Sequence, residues 1–243
     1  MFACSHVRSS ARAFALFAIV TPGAAWAESD GLRGFMDGGF YVRADAGFSM
    51  ESDQKVTETG FVDYIDPLML DESLAASGDV DLSDGGGFSI GAGWSARNSG
   101  LRLEALFVHD RRDDVTLGFE TQIRSSGLYG LVLYDFNPLT RTQPFIGAGV
   151  GLNDVEVETD ILSEQSDVRL SYMATAGMAF VFSDRLVGDI SYRYQLTPDL
   201  NYQWQYTDPD PIDGFTISYE LEGDLVQHSV MFGLRYMLQR PAA

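Results

Sequence analysis

The sequence predicts an all-β fold: an eight-stranded antiparallel up-and-down transmembrane β-barrel with long external loops. Three observations carry this. Beyond residue 27 apolar residues recur at every second position and not with a helical period. The connections between the alternating segments are short and long in turn, as in barrels of the outer-membrane type. The apolar face runs along every segment, and a sheet facing lipid must close on itself, because lipid satisfies no backbone N–H or C=O group.

The chain opens with a segment expected to lie outside the fold. Arg8 and Arg12 precede the apolar run Ala13 to Val20, and Thr21-Pro22-Gly23 leads to Ala25-Trp26-Ala27, the small-x-small pattern of a cleavage site. Residues 1–27 read as a secretory signal peptide and residues 28–243 as the barrel domain. The apolar run is too short to span a bilayer, and no later stretch approaches the ~20 apolar residues of a membrane-spanning helix. Cys4, the sole cysteine, precedes that run, so the exported chain is expected to have no thiol, disulfide or cysteine-bound metal. Loss of Arg8 and Arg12 takes the formal charge from −19 to −21. One lysine, Lys55, against 35 acidic residues excludes nucleic acid as a partner, since phosphate binding needs clustered cations. Aromatic residues at 12% exclude a generically disordered chain.

Eight alternating segments follow in order. Phe40 to Met50 sets Phe40, Val42, Ala44, Ala46 and Phe48 against Tyr41, Arg43, Asp45, Gly47 and Ser49. Phe88 to Ser95 opposes Phe88, Ile90, Ala92 and Trp94 to Ser89, Gly91, Gly93 and Ser95, and Leu101 to Asp110 opposes Leu101, Leu103, Ala105 and Phe107 to Arg102 and Glu104. Ser126 to Phe136 keeps Asp135 on its minor face, Phe145 to Leu152 carries Gly147, Gly149 and Gly151, and Leu170 to Phe182 is the sixth segment. Leu186 to Leu196 opposes Leu186, Ile190, Tyr192 and Tyr194 to Asp189, Ser191, Arg193 and Gln195. Ser229 to Leu238 opposes Val230, Phe232, Leu234, Tyr236 and Leu238 to Gly233 and Arg235.

Short connections span 96–100, 137–144 and 183–185; long ones span 51–87, 111–125, 153–169 and 197–228. With an even strand number both termini lie on the periplasmic side. All four long connections are then external, and the turns bearing Arg97, Arg141 and Arg185 are periplasmic. A soluble lipocalin-like barrel would put its apolar face inward. The minor face here, with four arginines and four carboxylates, argues against that arrangement. A β-sandwich would not sort its loops into short and long sets.

The chain resembles the small eight-stranded outer-membrane barrels of the opacity-protein and OmpX-like group, the outer-membrane protein β-barrel domain. The resemblance rests on Pro144-Phe145-Ile146-Gly147-Ala148-Gly149-Val150-Gly151, Tyr134-Asp135-Phe136, Tyr192-Arg193-Tyr194 and the closing Phe232-Gly233-Leu234-Arg235-Tyr236, and covers nearly all of the chain after residue 27. It implies architecture and outer-membrane localisation, while the family's roles reside largely in its external loops. One departure is the C-terminus, which runs on through Gln239-Arg240-Pro241-Ala242-Ala243 where many such proteins end in an aromatic residue. The assembly signal is then internal, around Gly233, Tyr236 and Leu238.

An eight-stranded barrel is only wide enough for its own side chains. Arg43, Asp45, Arg102, Glu104, Asp135, Asp189, Arg193 and Arg235 in that space must pair, since a lone buried charge loses several kcal/mol of hydration. A hydrogen-bonded plug is expected; the alternative use of these residues is a narrow ion path gated by a salt bridge. Catalysis is not expected. Some small barrels act on lipid A with a rim serine and histidine, and His109 and His228 fall near external segment ends, but Ser229 follows His228 directly and adjacent strand residues point to opposite faces.

The external loops are strongly acidic. The first holds Glu51, Asp53, Glu58, Asp63, Asp66, Asp71, Glu72, Asp79, Asp81 and Asp84 against Lys55 alone. Asp208-Pro209-Asp210-Pro211-Ile212-Asp213-Gly214 and Asp79 to Gly85 group oxygen ligands before a glycine, as calcium prefers. Neither fits the EF-hand pattern, and a solvated acidic turn is the favoured reading, with Asp208, Asp210 and Asp213 the weak metal candidates. Alternation at Asn201 to Tyr206 and Phe215 to Glu222 predicts that the last two strands extend above the membrane as an aromatic hairpin. No cofactor is expected. The expected partners are outer-membrane lipid, lipopolysaccharide, the barrel-insertion machinery and a protein at the cell surface; the expected state is a monomer. The function read from these features is structural or surface-interactive and adhesin-like, with a narrow porin-like channel for ions or small solutes as the alternative.

Overall fold

The computed structural model describes residues 38–50, 52–64, 72–82, 84–96, 99–116, 119–138, 140–159, 162–207 and 215–238. All of its regular structure is strand: β1 (Gly39–Met50), β2 (Ser52–Tyr64), β3 (Glu72–Leu82), β4 (Gly85–Ser95), β5 (Leu101–Thr116), β6 (Phe119–Asp135), β7 (Thr142–Thr159), β8 (Leu162–Val181), β9 (Leu186–Thr207) and β10 (Phe215–Met237). Every pairing is antiparallel. The pairing order β1-β4-β5-β6-β7-β8-β9-β10 returns to its start because β1 also pairs with β10, from Tyr41↔Met237 to Met50↔His228.

The described residues thus form ten strands where eight were expected, with β2 and β3 paired onto β10 beyond the β1–β10 closure. Both additional strands arise from 51–87, which was expected to be a loop. Ser49 opposes Gly85 and Ser52 opposes Leu82, so the β2–β3 hairpin continues the β1–β4 ribbon without a register slip. The other long connections also prove to be mostly strand: only 117–118, 160–161 and 208–214 separate β5 from β6, β7 from β8 and β9 from β10. Val155 and Val157 still alternate with acids on β7, as does Leu221 on β10, so the ladder continues while carboxylates face water. The expected hairpin of Asn201 to Tyr206 with Phe215 to Glu222 is present, paired from Thr216↔Thr207 to Glu222↔Asn201. The other strands were ended where the lipid-compatible face ended, and the hydrogen-bonded ladder needs no such face.

The short turns agree with expectation. At the first, Ala96 N–H donates to the Leu101 carbonyl and Asp135 N–H to the Gly100 carbonyl, each at 2.8 Å. Gly100 has φ 72°, and a Cβ there would lie 2.4 Å from the Asp135 carbonyl oxygen. Gly100→Ala is therefore expected to cost on the order of 1–3 kcal/mol through left-handed strain and that clash. A urea-unfolding midpoint unchanged from the parent would contradict this.

Burial alternates along most of the ring strands, with the polarity of a soluble protein reversed. Phe40, Val42, Ile90, Leu103, Val132, Ile146, Val150, Leu234 and Phe232 are exposed, whereas Arg43, Asp45, Arg102, Glu104 and Arg235 are buried. The interior is filled by setting bulky rows against small ones. The inward face of β4 is Gly85, Gly87, Ser89, Gly91, Gly93 and Ser95; Leu106, Asp110 and Arg112 of β5 and Tyr41 of β1 lie over these glycines. Likewise Gly147, Gly149 and Gly151 of β7 accept Leu133, Leu131 and Tyr129 of β6. This pairing of large with small side chains fits the side chains into a narrow ring.

Above the ring the wall divides. β9 and β8 pair only from Tyr172↔Leu196 to Val181↔Val187, although both strands continue outward. Beyond that level β10 pairs with β2, giving a ribbon ordered β3-β2-β10-β9 that faces the β6-β7-β8 ribbon. Val155, Leu200, Tyr202 and Leu225 form an apolar cluster between the two, with Ile123, Val157, Trp204 and Leu221 packed on it.

Candidate functional site

The eight charged residues singled out from the sequence all point into the ring, and none is more than 6% exposed. Strand parity puts them there: odd residues of β1, β9 and β10 and even residues of β5 face inward, and Asp135 ends β6 on the inward side. Arg43 is the hub. Its guanidinium meets Asp45, Glu104 at 2.7 Å and Asp189 at 3.4 Å. Arg102 bridges Glu104 and Asp135, each at 2.8 Å, and lies over the Phe145 ring, 5.0 Å from its centroid. Arg235 meets Asp189 at 3.2 Å, Arg193 approaches Asp45 at 3.7 Å, and Tyr41 donates to Glu104 at 2.6 Å.

Four cations against four carboxylates make this network neutral. Gly233 makes room for it, because a Cβ there would fall 2.3 Å from Asp45 Oδ1 and 2.7 Å from Asp189 Oδ1. Two inward charged residues escaped the sequence reading. Asp110, bonded by Ser49 Oγ at 3.1 Å, was placed at a segment end, and Arg112 was assigned to a loop. Their even parity with Arg102 and Glu104 on β5 was the available signal. A layer of hydroxyls and amides lies further out: Tyr129 donates to Ser171 at 2.9 Å, Asn153 Nδ2 to Thr197 at 3.0 Å and Ser125 to Asn153 Oδ1 at 3.0 Å.

The histidines require one correction. His228 and Ser229 face opposite sides as expected: His228 Nδ1 lies 2.5 Å from Tyr192 Oη on the outside, and Ser229 meets Ser49 inside. Yet a serine–histidine contact does exist elsewhere. The register His109↔Ser126 brings His109 Nδ1 within 2.9 Å of Ser126 Oγ on the outer face. Only cross-strand pairing reveals it. The neighbouring backbone groups belong to the ladder, and the imidazole packs on the Phe88 ring, 5.4 Å away, which is the setting of an interfacial polar pair.

Outside the lipid-facing region the carboxylates are held by hydrogen bonds. Glu220 accepts from Asn201 Nδ2 at 2.7 Å and from Gln203 Nε2 at 3.1 Å, and these bonds hold its carboxyl below the ordinary glutamate value. A depressed folded-state value means the stabilisation is present above the unfolded value and is lost as pH falls through the folded one. Asn201→Ala is expected to raise the Glu220 carboxyl toward its ordinary value. Carbon-detected NMR titration checks this, and an unmoved titration would contradict it. Asp208, Asp210 and Asp213 lie outside the described residues.

A closed antiparallel ring with an apolar exterior and an ion-paired interior defines a small outer-membrane barrel. The chain belongs to the outer membrane protein beta-barrel domain family, whose profile matches residues 13–237, and it is an outer-membrane protein of the Gram-negative type. It is 29% identical over 89 residues to the 25 kDa outer-membrane immunogenic protein of Brucella abortus, a stretch covering 37% of this chain and 38% of that relative. It is also similar to the Neisserial surface protein NspA (16% identity, 82% of this chain and 97% of that one, TM-score 0.48). OprG of Pseudomonas aeruginosa matches at 11% identity over 83% and 97% with a TM-score of 0.49. Ail, the attachment invasion locus protein of Yersinia pestis, matches at 13% identity over 78% and 99% with a TM-score of 0.36.

Proposed function

We propose that this protein is a monomeric barrel with a structural or adhesin-like role at the cell surface, and that it does not act as an enzyme. In this reading eight walls cross the outer membrane: β1, β4 and β5 to β10 near their short turns, with β2, β3 and the strand extensions standing outside. The observation that supports it most is the division of labour within single strands. β9 and β10 place ion-paired and hydrogen-bonded side chains across the lumen at one end and an acidic ribbon with Tyr202 and Trp204 at the other. Residues 1–27 would be removed as a signal peptide, and lipid, lipopolysaccharide and the insertion machinery would be the partners met during assembly. The closing strand, with Gly233, Tyr236 and Leu238, would serve as the assembly signal.

Two measurements test the reading together. Folded protein is expected to migrate differently on a denaturing gel before and after heating, since a closed barrel resists detergent until heated. In planar bilayers the unmodified protein is expected to pass little steady current, because the Arg43 hub occupies the lumen. Equal migration combined with recovery in a soluble periplasmic fraction would refute the barrel, and steady ion-selective conductance would favour the porin-like alternative.

The acids of the external ribbons would act as a solvated anionic surface that shares divalent cations with lipopolysaccharide. Calcium titrated into the refolded protein at about 0.15 M salt, where the Debye length is ~8 Å, is then expected to give no saturable heat. Saturable binding abolished by asparagine at Asp208, Asp210 and Asp213 would instead establish a specific site.

A further inference from the structure

β8 and β9 cease to pair at Tyr172↔Leu196, yet β8 continues through 162–171 and β9 through 197–207. The cause is local. Pro198 has no N–H to offer a ladder, and Asp199 adopts φ 56° with its N–H donating to Asp224 Oδ1 at 3.0 Å. The β9–β10 register slips at the same level, between Gly223 and Leu225. The extra residue reverses the parity of β9: Gln195 and Thr197 face inward below it, Leu200 and Tyr202 above it. The upper part of β9 therefore turns inward, and Tyr202 Oη donates to the Val155 carbonyl of β7 at 3.0 Å, past β8.

Two strand edges are left facing each other across a seam. Side-chain hydrogen bonds bridge its lower part: Ser171 Oγ donates to the Leu196 carbonyl at 2.9 Å, and Asn201 N–H donates to Asp167 Oδ2 at 2.9 Å. A cavity of about 450 Å³ lies there, lined by Arg169 of β8, Asp199 to Asn201 of β9, Glu222 to Asp224 of β10 and Thr57 of β2. The seam opens at the upper border of the apolar exterior, which on β8 reaches exposed Leu170 and Val168.

A strand edge that lacks a paired neighbour is a template for another strand, and charge decides which strand fits. Among the described residues Asp199, Glu222 and Asp224 line the seam, Asp167 and Glu220 stand beside it bonded to Asn201, and Arg169 is ion-paired to Asp167. A second copy of this chain, itself strongly acidic, is repelled there. We infer that the β8–β9 seam is a docking site for an extended, lysine- or arginine-rich segment of a partner protein, added as a strand to the free edge. The inference rests on the surface-interaction reading above and names its site and partner chemistry.

The test uses the full refolded chain in detergent micelles at about 0.15 M salt. The probes are three fluorescent decapeptides: lysine alternating with valine and threonine, the same design with glutamate, and the lysine design with alternate backbone nitrogens methylated. The lysine peptide is expected to bind saturably and at least tenfold more tightly than either control. Pairing Asp167→Cys with Asn201→Cys should abolish binding when oxidised and restore it when reduced. Glu222→Gln together with Glu220→Gln, which keeps the amide contacts, should weaken binding several-fold without altering heat-dependent migration.

Equal binding of the methylated peptide would overturn the inference by showing charge adherence without strand pairing. Binding untouched by both sets of variants would overturn it by placing the contact elsewhere. A preparation that shows heat-dependent migration but ignores all three peptides refutes the docking site and leaves the barrel reading intact. One lacking that migration refutes both.

Discussion

Replacing Arg43 by alanine is expected to lower the unfolding free energy of the folded barrel by about 3–5 kcal/mol, the range observed when one partner of a buried ion pair is removed. Asp45, Glu104 and Asp189 converge on this guanidinium from three strands, and Arg43 and Glu104 have side chains no more than 4% exposed. Without Arg43, Glu104 keeps only Arg102 and the Tyr41 hydroxyl, and Asp45 keeps the distant Arg193 and the Ser89 hydroxyl. Arg43→Lys is expected to recover part of the loss, since one ammonium cannot present the planar fork that reaches several carboxylates. Urea unfolding in micelles measures both. A loss under about 1 kcal/mol for the alanine variant would mean that water already screens these charges, as in surface pairs, and would support an open lumen.

The second large effect lies on the opposite face. Val132 is 53% exposed and sits near the middle of the membrane portion of β6, between outward-facing Leu128 and Phe136. Val132→Arg is expected to cost roughly 2–4 kcal/mol for folding into phospholipid vesicles, the penalty for a cation near the bilayer midplane on a barrel's lipid face. The same change on a water-facing strand would fall within about 0.5 kcal/mol. Refolding equilibria in vesicles therefore discriminate between the two environments directly. A null result would place the aromatic and aliphatic exterior against protein or water instead of lipid.

Much of the ring was legible because a strand's side-chain period is two. Once Phe40, Val42 and Phe48 are assigned to lipid, Tyr41, Arg43 and Asp45 have no other place than the lumen. The same parity located all eight network residues. The same parity extends to Arg112, which was missed because β5 was ended at Asp110 when the lipid-facing pattern stopped. The three short turns were visible from Gly100, Asn137 to Pro144 and Ser183 to Arg185, where alternation is interrupted by turn residues.

Periodicity along one chain therefore determined the fold class, the inward and outward faces and which charges must find partners. Tertiary structure alone decided who meets whom. Arg43 reaches Glu104 and Asp189 across separations of 61 and 146 residues, and His109 meets Ser126 only through the β5–β6 register. The length of other strands was a tertiary matter, since β2, β3 and the outer parts of β7 and β8 are held by pairing and by the Val155, Leu200, Tyr202 and Leu225 cluster, whereas alternation already showed the outer β9–β10 hairpin. The seam beside Pro198 was hidden for the same reason: a single bulge reverses every side chain beyond it, and its consequence exists only relative to the neighbouring strand.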